Sequence, residues 1–486
     1  MRPILTIFFL CCLSSLVHAQ SHYLNVNNGY GSGFFEPGDT VYIWAREMAQ
    51  YEVFDTWTGD TDLLSEPNEW RTTLVMPAQD VNLDAEFHEI PPYSTEYIQC
   101  VQSLKKVHAY FPPDPAGLVF LFHGTGGIMD IWVEVPDPYQ VFKDLVASNF
   151  AVVVTEAEEI TLGMDLNGDS TLRWITNTLT LSNNIDAQNI RALIDTFETR
   201  NLIAPDTKKY ALGVSNGGSF ATVVSFLLSF DAAAPYCIAG NPVVNSLTTV
   251  PTQWCMQAYD DNPSVGIEAY YTVTEWSENL MNNGVCSRVF LNDRSPIYPQ
   301  IFARHVPTSV AQSEALFNEL DNSGFLDYID GYYYMNLYAD TIFFDLVPAN
   351  PSAYPLLSII ASNLETMQVV STLMDGTHAG HKLYSSHDKR TIAFLNDPCG
   401  TVTAASDPLP AASAIGIYPN PAGDKIYFAQ LVTDSSLSGH IYDLHGRLLQ
   451  TFTLTNPEAG LDVSRLETGF YFIEVNHQRG KFFVGR

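Results

Sequence analysis

Residues 209–221 read KYALGVSNGGSFA, and they decide the fold expected for the middle of the chain. An apolar strand candidate, Lys209–Leu212, leads into the tight turn Gly213–Gly217, and a helix-forming stretch starts at Ser219. A serine on such a strand-to-helix turn needs small neighbours, because its backbone is strained and the helix packs closely against the strand. The helix N-terminus also stabilises negative charge beside that serine. We therefore predict that Ser215 is a nucleophile.

Strand-like and helix-like stretches alternate throughout residues 91–400. The apolar strand candidates are Leu118–Phe122, Ala151–Thr155 and Lys209–Leu212, and helical periodicity covers Ile185–Glu198 and Ser219–Ser229. This alternation favours a doubly wound α/β fold, in which helices cover both faces of a parallel sheet. Active sites in such sheets lie beyond the carboxyl ends of the strands. The loops after Phe122, after Leu212 and after the strand ending near Met256 are therefore the candidate site loops.

The first of these loops, His123-Gly124-Thr125-Gly126-Gly127, has a flexible backbone that can direct N–H groups at a developing oxyanion. It resembles the His-Gly oxyanion loop of the α/β-hydrolases, and with the Gly-x-Ser-x-Gly turn it implies that residues 91–400 form a serine esterase domain of that superfamily. The resemblance implies an oxyanion hole made by the backbone N–H groups of Thr125 and Asn216. His123 itself is expected to be structural. The serine turn is also similar to that of extracellular polyester depolymerases and of feruloyl or acetylxylan esterases, which leaves the substrate open.

A serine hydroxyl is a weak nucleophile until a histidine takes its proton, and a carboxylate must orient that histidine. The chain order in the resembled family is serine, acid, histidine. After the strand candidate Trp254–Ala258, the turn looks like the family's Gly-x-x-Asp acid turn with Ala258 in place of glycine, which selects Asp261. A shift of one residue selects Asp260 instead, and both carboxylates could also be solvated loop acids.

The catalytic histidine of such families follows the last strand of the sheet. Met367–Leu373 is an apolar strand candidate, and the next residues, 375–381, read DGTHAGH. His378 is therefore the preferred base and His381 the alternate, whereas His387 lies closer to the final helix candidate and is less favoured. The predicted triad is thus Ser215, Asp261 and His378.

Two further features of the central region have competing interpretations. Asp165-x-Asn167-x-Asp169 resembles the start of a calcium loop, but Ser170 replaces the required glycine and Thr176 the bidentate glutamate. We expect no metal there. The stretch Asp327–Pro355 is dense in aromatic residues and lies outside the minimal fold, so it predicts an inserted cap, either covering an acyl pocket or packing as a subdomain.

Residues 20–90 alternate apolar and polar positions in short segments separated by glycine-rich turns, which predicts a small all-β domain. The Gly-x-Gly-x-Gly turn at Gly29–Gly33, the run Pro37–Val41 and the Phe54-x-x-Trp57-x-Gly59-Asp60 element resemble the divergent internalin-type B-repeat family. The resemblance implies an accessory domain without chemistry of its own. Trp57 and Trp70 are expected in its core, with a carbohydrate platform as the alternative.

The two ends of the chain carry export signals. Arg2, the apolar run Ile4–Val17 and the small residues before Gln20 predict a signal peptide over residues 1–19. Residues 401–414 are small residues and prolines, typical of a linker. Residues 415–486 resemble the C-terminal sorting domain of type IX secretion substrates through their Tyr-Pro-Asn-Pro start, their Tyr-Asp-x-x-Gly-Arg middle and their Leu-x-x-Gly-x-Tyr element. This all-β domain implies export through the periplasm and outer membrane to the cell surface or medium, handled by the type IX machinery.

Composition excludes several classes of protein. The chain has 54 acidic and 23 basic residues, a formal net charge of −31, so nucleic-acid backbones would repel it. No apolar run after the signal is long enough to predict a membrane span of the mature protein. Five cysteines remain after residue 19 without the spacing of a zinc site, so we expect neither a metal nor another cofactor. A disulfide between Cys100 and Cys399 would bracket the central region, although one sequence does not fix the pairing.

Taken together, these patterns predict a secreted serine hydrolase that cleaves carboxylic esters, which could be polymeric, through a Ser-His-Asp triad and an acyl-enzyme. A serine peptidase of the same fold is one alternative. A catalytically inactive binding protein displayed on the cell surface is the other, although no member of the triad is missing from the sequence.

Overall fold

The computed structural model describes residues 21–400 except 264, 306–307 and 386–387, and, in the C-terminal region, residues 416–418, 422–429, 437–442, 448–454, 460–466, 469–475 and 478–484. The predicted signal peptide, the predicted linker and His387 lie outside the described residues. The described residues form two compact units, one within residues 1–403 and the other within 404–486.

The N-terminal region is all-β, as its alternating pattern predicts. Its strands are β1 (His22–Asn27), β2 (Gly29–Tyr30), β3 (Gly33–Phe35), β4 (Thr40–Ala45), β5 (Glu52–Gly59), β6 (Arg71–Val75) and β7 (Val81–Glu89). They form two sheets, ordered β3-β1-β7-β5 and β2-β4-β6. Alternate residues of β7, among them Val81, Leu83 and Ala85, are buried because successive side chains of a strand point to opposite faces. Trp57 and Trp70 are also buried, as expected for core tryptophans.

The central region is built on an eight-stranded sheet. Its strands are β8 (Ser94–Gln99), β9 (Leu104–Tyr110), β10 (Leu118–Phe122), β11 (Ala151–Val154), β12 (Lys209–Val214), β13 (Ala232–Tyr236), β14 (Thr252–Gln257) and β15 (Ser287–Asn292). The order is β15-β14-β13-β12-β10-β11-β9-β8. The six strands from β15 to β11 run parallel, whereas β9 pairs antiparallel with both β11 and β8. The three predicted strands are confirmed as β10, β11 and β12.

Helices cover both faces of this sheet, and further helices belong to the insertion described below. They are α1 (Ile131–Glu134), α2 (Pro136–Ala147), α3 (Glu158–Leu162), α4 (Ile185–Thr199), α5 (Asn216–Leu228), α6 (Pro242–Leu247), α7 (Gly266–Asn282), α8 (Val310–Asn322), α9 (Val347–Ala349), α10 (Pro355–Ala361), α11 (Leu364–Thr377) and α12 (Asp388–Asn396). The side chains of strand β10 are apolar on both faces because each face packs into a core. Val119 and Leu121 belong to one core with Phe142 of α2. Phe120 and Phe122 belong to the opposite core, with residues of α4 and α5. This is the doubly wound arrangement that the sequence predicts.

The predicted cap, Asp327–Pro355, lies inside a longer insertion that follows β15, residues 293–376. A hairpin of β16 (Leu326–Ile329) and β17 (Tyr332–Met335) and the helices α8 to α11 make up most of it. Its apolar residues share one continuous core with the N-terminal region, where Trp44 stacks on Tyr298 with ring centroids 4.6 Å apart. The backbone N–H of Tyr42 also donates to the hydroxyl of Tyr332 at 3.1 Å. The N-terminal region is therefore packed into the first unit rather than carried beside it.

The predicted strand Met367–Leu373 is wrong, because these residues lie inside the helix α11. Asn363 caps this helix by accepting from the backbone N–H of Thr366, and the helix continues to Thr377. Short apolar runs fit either a buried strand or a buried helix, and here the cap decides. Among the described residues, no single helix is long and apolar enough to cross a membrane, and only α10 with α11 qualifies as a pair, bent by 117° between them.

The proposed Cys100–Cys399 pairing is also wrong. Cys399 forms a disulfide with Cys286, whereas Cys100, Cys237 and Cys255 are buried free thiols. Cys286 immediately precedes β15 and Cys100 immediately follows β8, and these two strands are the opposite edges of the eight-stranded sheet. The width of the sheet therefore separates Cys100 from the edge at which the disulfide forms.

The second unit is rich in β-structure. Its strands are β18 (Gly416–Tyr418), β19 (Lys425–Ala429), β20 (Leu437–Tyr442), β21 (Leu448–Leu454), β22 (Leu461–Asp462), β23 (Gly469–Val475) and β24 (Gln478–Val484). They form a three-stranded sheet, β18-β19-β22, and a four-stranded antiparallel sheet, β21-β20-β23-β24. Ile426, Ile441, Ile473 and Phe482 are buried in its core.

Candidate active site

Ser215 lies at the carboxyl end of β12, on the turn that leads into α5. Its φ of 54° and ψ of −124° are strained for a residue with a side chain. The turn requires glycine on both sides. A Cβ at Gly213 would meet the carbonyl oxygen of Gly217 at 2.2 Å, and one at Gly217 would meet the carbonyl oxygen of Phe122 at 2.4 Å. The backbone N–H of Ser215 donates to the carbonyl of Tyr236 on the neighbouring strand at 2.8 Å, which fixes the turn to the sheet.

The side chain of Ser215 is the first member of a hydrogen-bonded chain of three. Its Oγ lies 2.9 Å from Nε2 of His381, and Nδ1 of the same ring lies 2.7 Å from Oδ2 of Asp260. A carboxylate can only accept, so Nδ1 carries the ring proton and Nε2 is free to accept from the serine hydroxyl. The side chain of Asp260 is 1% exposed and that of His381 is 16% exposed. Oδ1 of Asp260 also accepts from the backbone N–H of Asn262, which fixes the carboxylate.

The two residues that the sequence analysis ranked first do not take part in this chain of contacts. His378 caps the C-terminal end of α11, and its Nδ1 donates to the backbone carbonyl of Met335 at 2.9 Å. Its ring is buried between Tyr338 and Tyr259, and burial lowers its pKa to about 4. Asp261 is half-buried next to Asp260, and burial raises the pKa of its carboxyl group. The structure thus brings together Ser215 and the two alternates.

The path of the chain after α11 explains this outcome. Because α11 runs to Thr377, His378 is still held by the helix and its hydrogen bond to the insertion. The chain then turns at Ala379, which has a φ of 56°, and Gly380 donates to the carbonyl of Asp375. This turn carries His381 to the serine. The backbone N–H of Tyr259 donates to the carbonyl of Ala379 at 2.9 Å, so the turn that carries the acid and the turn that carries the histidine are joined directly.

The predicted oxyanion loop lies against Ser215. A Cβ added at Gly124 would lie 3.5 Å from Cβ of Ser215, so the backbone of this loop passes beside the serine. Thr125 is exposed in the turn that follows, which the hydrogen bond from Gly127 to Gly124 closes. Asn216 is the first residue of α5, where the positive end of the helix dipole lies. Both predicted donors therefore lie, like Ser215, at the carboxyl ends of the strands.

Trp174 supports both Asn216 and the predicted oxyanion loop, and no sequence pattern points to it. Its backbone N–H donates to Oδ1 of Asn216 at 2.8 Å, and its carbonyl accepts from Nδ2 of the same side chain. Its indole N–H donates to the carbonyl of His123 at 3.0 Å. One buried tryptophan therefore fixes the residue after the nucleophile and the first residue of the oxyanion loop.

The hydrogen bonds described for the ring of His123 are both to backbone groups. Its Nδ1 donates to the carbonyl of Gly124 at 2.7 Å, and its Nε2 accepts from the backbone N–H of Ala157 at 3.1 Å. Full burial lowers its pKa to about 4, which keeps the ring neutral and able to make both bonds. These contacts agree with a structural role.

In the loop that resembles a calcium site, Asp165 and Asp169 form hydrogen bonds and an ion pair with other residues of the same loop. Oδ1 of Asp165 accepts from the backbone N–H groups of Asn167 and Gly168, and its Oδ2 accepts from that of Ser170. Asp169 pairs with Arg173 at 2.6 Å. Across the part of the chain that the structure describes, no group of three or more His, Cys, Asp or Glu side chains could hold a metal ion.

Comparison with protein families identifies both flanking regions. Residues 23–91 match the divergent InlB B-repeat domain, and residues 416–484 match the secretion system C-terminal sorting domain. Both predicted resemblances are thereby confirmed. The sorting domain indicates export by type IX secretion to the cell surface or the extracellular space. No curated protein matches the chain.

Solved structures similar to the chain are α/β-hydrolases. A dienelactone hydrolase from Anabaena variabilis is 19% identical, with 43% of this chain and 88% of that chain covered and a TM-score of 0.31. An α/β serine hydrolase without a lid from Xanthomonas campestris is 14% identical, covering 48% and 95%, with a TM-score of 0.29. A carboxylesterase from Mesorhizobium loti is 16% identical, covering 40% and 89%, with a TM-score of 0.29. These sequence identities and TM-scores are too low to assign the activity of any of these proteins to this chain. The sheet order and the strained serine turn define the α/β-hydrolase fold of the central region.

Proposed function

We propose that the protein is a secreted serine hydrolase that cleaves carboxylic esters, with Ser215 as nucleophile, His381 as general base and Asp260 as the acid that orients it. The observation that carries this proposal is the unbroken chain of contacts from Asp260 through His381 to Ser215, with heavy-atom distances of 2.7 and 2.9 Å. Both distances are within hydrogen-bond range, and the transfer of the serine proton to His381 requires such a distance between Ser215 and His381. The ranking of the site residues therefore changes from His378 and Asp261 to His381 and Asp260.

The reaction follows from these positions. Oγ of Ser215 attacks the ester carbonyl carbon while its proton passes to Nε2 of His381. Asp260 stabilises the imidazolium that forms, because its carboxylate faces Nδ1. The imidazolium then protonates the leaving alkoxide, which departs as the alcohol and leaves an acyl group on Ser215. Water, deprotonated by the same histidine, releases the acid and restores the serine.

The negative charge of the tetrahedral intermediate needs donors beside the serine. We assign these to the backbone N–H groups of Thr125 and Asn216. The position of Asn216 at the start of α5, with its side chain tied to Trp174, supports this assignment. Rigid donors of this kind lower the barrier because they need no reorganisation as the charge develops.

An ester is favoured over a peptide as the substrate. The elements of the described residues include no propeller or other recognisable gating domain for peptides. The accessory β-domain and the sorting domain suit an exported enzyme that acts on external, including polymeric, esters. The alternative of an inactive binding protein requires a broken triad. The distances around His381 favour activity instead.

Labelling with a fluorophosphonate probe tests the proposed function. The wild-type protein is expected to react at Ser215 and to hydrolyse short-chain p-nitrophenyl esters, with little cleavage of peptide anilides. The variant Ser215→Ala should lose both labelling and hydrolysis. Failure of the folded wild-type protein to label would favour the binding protein, and a preference for peptide anilides would favour the peptidase.

A further inference from the structure

The N-terminal region contacts the segment of the chain that carries His381. This segment, residues 377–385, is called here the histidine segment. Ser385, at its end, is fully buried, and its Oγ accepts from the indole N–H of Trp70 at 3.0 Å. Tyr384, the residue before it, packs its ring against the same indole, with centroids 6.1 Å apart. Trp70 immediately precedes β6 of the B-repeat-like region.

A buried carboxylate on the hydrolase side completes this contact. Oδ1 of Asp137, on the first turn of α2, accepts from the hydroxyl of Ser385 at 2.7 Å and from its backbone N–H at 3.1 Å. The guanidinium of Arg304 donates to the same oxygen at 3.2 Å and lies 4.0 Å from the centre of the Trp70 ring. Ser385 is thus held by a tryptophan of one region and an ion pair of the other.

A second contact holds the other end of the segment. Arg71, the residue after Trp70, donates from its guanidinium to Oγ of Ser295 at 2.6 Å. The backbone N–H of Ser295 in turn donates to the carbonyl of Thr377 at 2.8 Å. Two consecutive residues of the N-terminal region therefore support the histidine segment at both its first and its last residue.

The position of His381 depends on this support. Inside the segment, the carbonyl of Lys382 accepts from Nε2 of Gln257 at 2.7 Å, and Ala379 accepts from Tyr259. These contacts attach the segment to β14 and to the residues that follow this strand. Its last two residues, Tyr384 and Ser385, contact Trp70, and both Trp70 and Tyr384 belong to the core shared by the N-terminal region and the insertion. A cavity or a lost hydrogen bond there would let the turn relax away from the serine.

We propose that Trp70 is a positioning residue for the reaction, and that the B-repeat-like region is a built-in support that holds His381 in reach of Ser215. The inference rests on the proposed function, since it concerns the same histidine. It gives the N-terminal region a part in catalysis without a catalytic residue of its own. The indole N–H to Ser385 contact is the link that transmits the position of this region to the active site.

The test uses the full-length protein with the substitution Trp70→Phe, which keeps a large apolar ring and removes the N–H donor. The matched control is Trp44→Phe, because Trp44 is a buried tryptophan of the same region and the same core, and its ring stacks on Tyr298 of the insertion. The rate at which a fluorophosphonate reacts with Ser215, the end-point fraction labelled, and kcat and KM for a p-nitrophenyl ester are measured well below the melting temperature of each variant.

Trp70→Phe is expected to lower the labelling rate and kcat by about tenfold, because a shift of roughly 1 Å at a catalytic group can cost up to about 100-fold. KM should stay within about twofold, since ester binding is not changed. The end-point fraction should remain complete, whereas partial unfolding would lower the end point and leave the rate of the folded fraction unchanged. Trp44→Phe should keep the wild-type rate even where its melting temperature falls equally.

Ser385→Ala completes a double-mutant cycle. If Trp70 acts through Ser385, each single substitution slows labelling, and Trp70→Phe adds little in the Ser385→Ala background. Equal rates for Trp70→Phe and Trp44→Phe, or fully additive effects in the cycle, would overturn the inference while leaving the proposed function standing. A wild-type protein that does not label overturns both.

Discussion

Nε2 of His381 lies 2.9 Å from Oγ of Ser215, although the two residues are 166 positions apart in the chain. The contact joins the end of a sheet strand to a turn that follows the inserted helices. On the far side of the ring, the buried carboxylate of Asp260 fixes the tautomer that this contact requires. His378, three residues earlier, instead donates to Met335 of the insertion. The two histidines therefore have distinguishable consequences when replaced.

Replacing His381 by alanine should reduce kcat for a p-nitrophenyl ester by on the order of 10⁴-fold or more, because it removes the group proposed to accept the proton of Ser215. The matched change His378→Gln keeps a polar side chain facing the carbonyl of Met335. It should lower the melting temperature while keeping kcat within about tenfold of wild type. Steady-state kinetics and thermal unfolding of the two variants provide the measurement. The opposite ranking of kcat would restore His378 as the base.

The neighbouring aspartates should separate in the same way. Asp260→Asn leaves the shape of the site intact but favours the wrong tautomer of His381, so kcat should fall by on the order of 10³- to 10⁴-fold. Asp261→Asn should change kcat by less than about tenfold, because its carboxylate is not hydrogen-bonded to the ring in the chain of contacts that starts at Ser215. Kinetics at a pH where the wild type is fully active compare the two. Equal losses would show that the turn uses both acids.

The sheet and the strained turn at Ser215 could be predicted because their signals are local. Leu118–Phe122 is a run of five apolar residues, and it forms the strand β10 with the same bounds. Ser215 is identified by its glycine neighbours, since a Cβ at Gly213 or Gly217 would collide with backbone. Such steric requirements act within a few residues and can therefore be read from the sequence.

The sequence alone does not bring His381 and Asp260 ahead of His378 and Asp261, because the contacts that place the former pair beside Ser215 are tertiary. Met367–Leu373 has the composition of a strand, but the cap at Asn363 and the shared core make it helix, which moves the turn to Ala379. The hydrogen bond from Tyr259 to Ala379 then joins this turn to the turn that carries Asp260. Local patterns likewise carry no information about Trp70 and Ser385, which are 315 positions apart.

Stability should depend on pH through Glu69, which is buried beside Asp388 and Asp144. Burial raises the pKa of Glu69 from 4.5 to about 8 and raises that of Asp388 as well. Above pH 4.5 the unfolded chain releases the proton of Glu69 while the folded protein keeps it, so folding stability falls as the pH rises toward 8, by up to ~1.4 kcal/mol per pH unit for one group.

The variant Glu69→Gln resembles the protonated side chain and should therefore flatten this decline. Urea unfolding between pH 5 and pH 8, a range set by the ordinary and raised pKa values of Glu69, measures the difference from wild type. Glu89→Gln, at the exposed end of β7, controls for the loss of one carboxylate. A stability difference between wild type and Glu69→Gln that stays constant across the range would contradict a buried, protonated glutamate.

Removing the sorting domain should separate export from catalysis. Each candidate site residue lies within the first compact unit, and the match to the sorting domain covers residues 416–484. A chain that lacks residues 415–486 should therefore hydrolyse esters with the kcat of the full-length protein, yet stay inside the outer membrane of a cell with type IX secretion. We predict that the exported wild-type protein is cut within residues 401–414, which the sequence predicts to be a linker. Intact-mass analysis of active enzyme from the cell surface or medium decides between the two states of the C-terminus: a mass that includes Arg486 would contradict removal of the domain.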